Sequence, residues 1–136
     1  MKELKIHESG TFIVDSQKVD NRSCFWLSKH GVYRIEVDPK DQKWTDGKLF
    51  SQTVSADGFS NIFLNLFSWK KRYRGAKWFT LMGKIKGEKN SDFPIGALEP
   101  NYSPGDHGEL ICYANDAYGH YKNNSDSINV RITRIS

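Results

Sequence analysis

Apolar and polar residues alternate along 127–135, the last strand-like segment of the chain. The alternation is clearest over 127–133, where Ile128, Val130 and Ile132 are apolar and the residues between them are polar. Successive side chains of a strand point to opposite faces. A period of two with one polar face is therefore typical of an antiparallel sheet that covers a core on one side.

Six further segments are short and rich in apolar, β-branched and aromatic residues, and none has the spacing of an amphipathic helix. With the last segment, the predicted strands are 11–14, 24–27, 32–37, 62–69, 78–85, 109–114 and 127–135. The segment 86–105 is rich in Asn, Ser, Asp and Pro and is predicted to be a long surface loop. Short strands separated by frequent turns indicate an all-β protein, an antiparallel β-sandwich formed by one domain over residues 1–136.

Cys112 lies in the segment 109–114, between Ile111 and Tyr113. This continuous apolar run predicts a central strand that is buried on both faces. Cys24 also lies among apolar residues, and no CxxC or Cys/His spacing indicates a metal pair. We therefore predict that both cysteines are buried, reduced thiols.

The composition excludes some functional classes. The chain has 136 residues, a formal net charge of +4 and 13% aromatic residues. It contains no apolar run of about 18 residues, so we predict no membrane-spanning helix. The N-terminus lacks the apolar core of a classical signal peptide, which predicts synthesis in the cytoplasm and leaves later release or export open.

Hard oxygen donors are concentrated in the loop between the last two predicted strands. Asp116 offers a carboxylate, and Asn123 and Asn124 offer amide oxygens. Calcium binds roughly six to eight oxygens from carboxylates, amides and backbone carbonyls. Gly119 would let the loop curl around an ion at little cost. The loop is therefore a candidate calcium site, although the same residue types also occur in ordinary β-turns.

The same loop carries a motif that resembles a known family. It is similar to the calcium and sugar loop of the PA-IL (LecA) family of galactose-binding lectins and reads Asn115-Asp116-x-x-Gly119-x-x-x-Asn123-Asn124-Ser125-x-Ser127 between two strands. Segments 75–85, 93–96 and 104–110 resemble, more weakly, the family's core strand and the segments that lead to this loop. The resemblance implies a jelly-roll-like β-sandwich of the galactose-binding-domain type.

The resemblance also implies a set of ligands for Ca²⁺. Side-chain oxygens would come from Asp116, Asn123 and Asn124, one carbonyl from His120, and another carbonyl from Asp46 or Gly47. Two neighbouring hydroxyls of galactose, O3 and O4, would complete the shell. The predicted sugar contacts are Asp116, Ala117, His120, Asn123 and Gln52. The implied function is a calcium-dependent lectin for galactose or terminal galactosides, without enzymatic activity.

The sequence departs from the family pattern in three ways. Position 120 holds His where the family's galactose-binding lectin has Thr, which keeps the carbonyl but changes the side chain near the sugar. Asp126 replaces a glycine and adds negative charge beside the loop. The His and Gln that contact the hydroxymethyl group of galactose in that lectin have no aligned match here, although Gln52 and Asp57 lie in the corresponding region.

Three other functions remain open at this point. The segment 70–77 interleaves aromatic and cationic residues, as do proteins that bind nucleic acids or other anionic polymers, although a solvated turn explains it more simply. A carbohydrate-active enzyme or its accessory module is the second, without support from any recognisable nucleophilic motif. A lectin-like domain that keeps calcium only to stabilise its loop is the third. Because lectins usually offset weak single-site binding by multivalency, we expect a homo-oligomer.

Overall fold

The structure is a computed structural model that describes residues 1–47, 52–60 and 67–136. These residues form short strands and two 3-10 turns, Ser68–Lys70 and Tyr121–Asn123. The strands are β1 (Lys2–Glu3), β2 (Ser9–Asp15), β3 (Asn21–Leu27), β4 (Tyr33–Val37), β5 (Trp44–Asp46), β6 (Gln52–Val54), β7 (Asp57–Phe59), β8 (Trp78–Ile85), β9 (Phe93–Pro94), β10 (Leu98–Tyr102), β11 (Gly108–Ala114) and β12 (Ser127–Arg134).

Two main sheets and one small hairpin organise these strands. The first sheet has the order β1-β3-β11-β8-β7, with β9 paired to β8, and the second has the order β10-β4-β12-β2. Strands β5 and β6 form a separate antiparallel hairpin. The pairing of β1 with β3 is parallel, and the other described strand pairs are antiparallel. The prediction of an all-β sandwich is therefore confirmed.

The core lies between the inner faces of the two main sheets. The apolar positions of β12 are fully buried, and they are Ile128, Val130 and Ile132. The polar residues between them face outward, as the period of two predicts. Strand β11 is buried at every position and lies between β3 and β8. The central position expected for the Cys112 strand is thus confirmed.

The strand predicted over 62–69 is wrong at its C-terminal end, and its residues 62–66 lie outside the described part of the chain. Ser68–Lys70 is a 3-10 turn, closed by hydrogen bonds from Lys70 N to Phe67 O (2.9 Å) and from Lys71 N to Ser68 O (3.1 Å). Trp69 is 61% exposed, with the Lys70 ammonium 5.1 Å from its ring centre. An aromatic run gave the strand prediction, but here the aromatics pack with a cation at the surface and not in the core.

The loop predicted over 86–105 is also wrong in part, because it contains β9 and β10. Phe93 and Tyr102 stack with ring centres 3.7 Å apart, and Ile95 is buried in the core. The prolines of this segment suggested a loop. Both strands lie at sheet edges, where a missing backbone donor is tolerated, and the pairing of β10 with β4 shifts register around Pro100.

The prediction of two buried thiols is right for Cys112 and wrong for Cys24. Strand β3 alternates strictly between buried and exposed positions, and Cys24 lies on the exposed face with Arg22 and Trp26. Cys24 also has a φ of +63°, beside a bulge in the pairing of β3 with β11. Its backbone N–H donates to the buried Glu109 carboxylate at 3.2 Å. Residue types hide this alternation, because the apolar Cys24 and Trp26 lie on the outer face while the polar Ser23 is buried.

Among the described residues, no helix has the length and apolar character needed to cross a membrane.

A thiol-labelling experiment checks the opposite environments of the two cysteines. Burial raises the pKa of the Cys112 thiol, so this thiol stays neutral and unreactive in the folded protein. We expect an aromatic disulfide reagent to label the native protein at Cys24 and to label Cys112 only after unfolding. The Cys24→Ser variant should show no rapid reaction. Rapid labelling of this variant under native conditions would contradict the position of β11.

Candidate functional site

Asn115 and Asp116 follow directly after the central strand β11, and both are fully buried. The backbone of Asn115 still pairs with β8, since its N–H donates to Thr80 O (2.9 Å) and its carbonyl accepts from Phe79 N (2.8 Å). The chain is therefore fixed where the sheet ends. The two polar side chains stabilise two different segments around it.

The Asn115 carboxamide holds the segment 73–77. Its Oδ1 accepts from Tyr73 N at 3.0 Å, and its Nδ2 donates to Tyr73 O at 2.9 Å. The same nitrogen lies 3.2 Å from Ala76 O and 3.0 Å from Lys77 O. This side chain thus supplies hydrogen bonds that a neighbouring strand would otherwise make.

Asp116 organises the loop predicted to bind calcium. Its Oδ1 accepts from Ala117 N at 2.7 Å, and its Oδ2 accepts from Asn124 Nδ2 at 3.0 Å. Its backbone carbonyl accepts from Arg72 N at 3.0 Å. A carboxylate with no exposed surface is costly unless hydrogen bonds and a positive charge offset its loss of hydration.

Asn124 connects the loop to Ser16, which directly follows β2. Its side chain is 1% exposed, and its Nδ2 donates to Ser16 O and to Asp116 Oδ2, each at 3.0 Å. Both partners are acceptors, which fixes the amide orientation. The Oδ1 of Asn124 is buried and has no hydrogen-bond partner within the described residues. An oxygen in this state costs about 1–3 kcal/mol unless a donor or a cation reaches it.

The β5–β6 hairpin brings the upstream candidates to the same loop. Thr45 and Ser125 exchange two backbone hydrogen bonds of 2.9 Å. Asp46, which is 2% exposed, follows Thr45 and pairs across the hairpin with Gln52. A Cβ atom on Gly47 would lie 1.6 Å from Asn123 O, so this backbone approach requires glycine.

The remaining predicted ligands lie on the exposed side of the loop. Gly119 has a φ of +85°, which agrees with the expected curl. His120 N donates to Ala117 O at 3.1 Å, and His120 precedes the 3-10 turn that contains Asn123. His120 and Asn123 are exposed, whereas Ala117 is buried. The structure therefore places the predicted residues in one region, with Asp46, Asp116 and Asn124 buried.

Asp126 adopts a left-handed backbone with a φ of +75°. Glycine adopts this conformation readily, and the family that the loop resembles has glycine at this position. Asp tolerates the conformation better than most residues do. The Asp126 Oδ2 accepts from Thr45 Oγ1 at 3.2 Å. The substitution thus adds a contact between the hairpin and the loop.

Sequence reasoning missed the residues that support the loop from behind. The buried Ser16 hydroxyl lies 2.8 Å from Ser125 O and 2.7 Å from Asp126 O. Gln17 Nε2 donates to Asn124 O at 2.7 Å. More than one hundred positions separate each pair of partners, and no local motif in the sequence marks these contacts.

Arg72 belongs to the basic segment 70–77, but its side chain is buried within the protein. Its side chain is 3% exposed, with its Nη2 at 2.6 Å from Asp20 Oδ1 and its guanidinium 3.5 Å from the ring centre of Tyr113. Burial alone would lower the pKa of Arg72, but hydrogen bonds to Asp20 and Tyr121 outweigh it and raise that pKa. At least one cation of this segment is therefore used inside the protein. Binding of nucleic acid by the segment stays an untested alternative.

Across the described ranges, no group of three or more His, Cys, Asp or Glu side chains lies close enough to hold a metal ion. The candidate loop has a different composition. Asp116 is its buried carboxylate, and the other predicted donors are amide and backbone oxygens. Such a set suits Ca²⁺, which accepts neutral oxygens, and does not suit zinc or copper, which prefer nitrogen and sulfur ligands.

Comparison with known proteins supports the fold. No protein-family profile matches the chain, and no curated protein matches it. Among solved structures, the N-terminal domain of EclA, described as a PllA-like lectin, is similar to this chain with a TM-score of 0.66. The match covers 91% of this chain and 94% of that domain at 16% sequence identity. The likeness shows that the two chains share a fold.

Replacing Asn115 tests how strongly the loop region depends on its carboxamide. Asn115→Ala removes the partner of the Tyr73 N–H and carbonyl, whereas the carbonyls of residues 76 and 77 keep other donors, so we expect a loss of about 2 kcal/mol in the free energy of unfolding. Denaturant unfolding measures this loss. The exposed Asn101 provides a matched control, and Asn101→Ala should change stability by less than about 0.5 kcal/mol. Equal stabilities of the two variants would contradict the described contacts.

Proposed function

We propose that this protein is a calcium-dependent lectin that binds galactose-type glycans and has no enzymatic activity. The observation that supports it best is the buried Asn124 Oδ1, which has no partner in the described residues and lies on the loop that buries the Asp116 carboxylate. The fold shared with a PllA-like lectin supports the same function.

The donor set fits Ca²⁺ because it combines charge with neutral oxygens. Asp116 supplies a buried carboxylate, and Asn124 supplies its amide oxygen. The amide nitrogen of Asn124 already donates to Ser16 O and Asp116 Oδ2, so the oxygen is the atom available to a cation. Asn123, and the carbonyls of His120 and of Asp46 or Gly47, would add further oxygens, as the family resemblance implies. A bound cation would offset the cost of burying the carboxylate and the unpartnered amide oxygen.

The exposed members of the site would meet the sugar. His120, Asn123 and Gly47 lie on the solvent side of the loop, and Gln52 is half-buried beside them. When bound, Ca²⁺ would supply positions that two neighbouring sugar hydroxyls can fill. The side chains of His120 and Gln52 would then orient the sugar. Galactose is the preferred sugar in this proposal because the family that the loop resembles binds galactose through O3 and O4.

Single-site affinity for a monosaccharide should be modest, since its hydroxyls must lose water before they bind. A homo-oligomer with several sites would raise the effective affinity for a glycan surface. Oligomerisation is therefore part of the proposal.

Calcium binding is tested by thermal unfolding. At a concentration about 100-fold above the dissociation constant, calcium should add about 3 kcal/mol, which corresponds to a melting temperature higher by roughly 10 °C. Asp116→Asn keeps the shape of the side chain and removes its charge, so it should abolish most of this shift. Asp106→Asn, in an exposed turn, should retain it. Identical shifts in both variants would place calcium elsewhere, and no shift in the native protein would contradict the metal site.

Retention on immobilised galactose tests the sugar and the hairpin together. We expect binding in calcium and release by EDTA or by free galactose. Gly47→Ala should abolish retention, because its Cβ would displace the Asn123 carbonyl. Gly105→Ala is the matched control, since its Cβ would meet only the flexible Glu88 carboxylate at 3.0 Å. Retention that persists in EDTA would argue against calcium-dependent recognition.

A further inference from the structure

A polar groove of about 320 Å³ lies next to the candidate calcium loop. Its lining combines two aromatic rings with one cation, one carboxylate and one amide, and consists of Arg72, Tyr73, Asn90, Asp92 and Tyr118. The function proposed above uses none of these side chains.

The walls of the groove are held in place by contacts within the protein. The guanidinium of Arg72 lies 3.5 Å from the ring centre of Tyr113 and 5.0 Å from that of Tyr118. Asp92 Oδ2 accepts a hydrogen bond from the Tyr113 hydroxyl. Tyr73 is fixed through its backbone by Asn115. The groove is therefore largely formed before any ligand binds, which limits the entropy lost on binding.

Backbone contacts also connect the groove to the candidate calcium loop. Arg72 N donates to Asp116 O at 3.0 Å, and Lys71 forms a β-bridge with Ala117. Tyr118 is two residues from Asp116, so their Cα atoms are at most about 7 Å apart. A ligand held at the loop could therefore extend into the groove.

The chemistry of the lining fits a neutral, hydroxyl-rich ligand. Tyr118 is 63% exposed, and its ring offers an apolar face of the kind against which the C–H groups of a pyranose can pack. Asp92 retains a second carboxylate oxygen beyond the one bonded to Tyr113, and Asn90 adds an exposed amide. Asp20 already pairs with Arg72, so the groove shows no net preference for an anion.

We propose that this groove is a second sugar subsite, and that the preferred ligand is an oligosaccharide whose terminal galactose-type residue lies at the calcium loop. The next sugar would pack on Tyr118 and exchange hydrogen bonds with Asp92 and Asn90. This inference rests on the proposed lectin function, because it takes the calcium loop as the first subsite.

The test compares a monosaccharide with longer glycans on variants of the groove. Affinities for methyl galactoside and for an array of galactose-terminated di- and trisaccharides are measured in calcium. The native protein should bind at least some oligosaccharides about tenfold more tightly than methyl galactoside, because the second sugar covers apolar area on the Tyr118 ring. Tyr118→Ala should remove this gain and leave methyl galactoside binding within about twofold, whereas Tyr118→Phe should keep most of it.

Two further variants separate the groove from general surface effects. Asp92→Ala should lower oligosaccharide affinity without changing methyl galactoside binding. Trp69→Ala removes another exposed aromatic, with 61% of its surface accessible, and should leave the array profile unchanged. If native protein and Tyr118→Ala give the same profile while methyl galactoside still binds, the second subsite is wrong and the lectin function stands. If methyl galactoside and the array both fail to bind native protein in calcium, both proposals are overturned.

Discussion

The adjacent buried side chains of Asn115 and Asp116 fix the geometry on which the candidate site depends. Asn115 satisfies backbone groups of the segment 73–77, and Asp116 gathers the loop that ends at Asn124. Both follow β11, the most deeply buried strand, so neither segment can shift without disturbing the core. The aromatic groove and the candidate calcium loop thus share one rigid support.

The candidate loop is well supported by hydrogen bonds except at one buried oxygen. Ser16 and Gln17 bond its backbone from behind, and Asp116 accepts hydrogen bonds inside it. The Asn124 Oδ1 is left without a protein partner in the described residues. This pattern, with one unsatisfied acceptor next to a buried carboxylate, supports the proposal of a cation site at the loop. A cation would then add stability without reorganising the loop.

The parts of the structure that local patterns determine were predictable from the sequence. The strand 78–85 and the alternating strand at the C-terminus follow from runs of apolar and β-branched residues, and the spacing from Asp116 to Asn124 indicated the loop. The hairpin strands β5 and β6 have three residues each, too few for a period of two to be recognised. The exposed position of Cys24 and the internal position of Arg72 were not predictable in this way. Apolar neighbours suggested that Cys24 is buried, and the basic run suggested that Arg72 is solvated, but the packing of the folded chain decides both.

The central claim is that calcium and sugar meet at one site, and reciprocal coupling tests it most directly. Calorimetry gives the calcium dissociation constant with and without saturating methyl galactoside, and the galactoside constant at two calcium concentrations. If sugar hydroxyls share the site with the ion, each ligand must strengthen the other by the same factor, which we expect to exceed about tenfold. A calcium affinity that galactoside leaves unchanged would mean that the two ligands do not share a site.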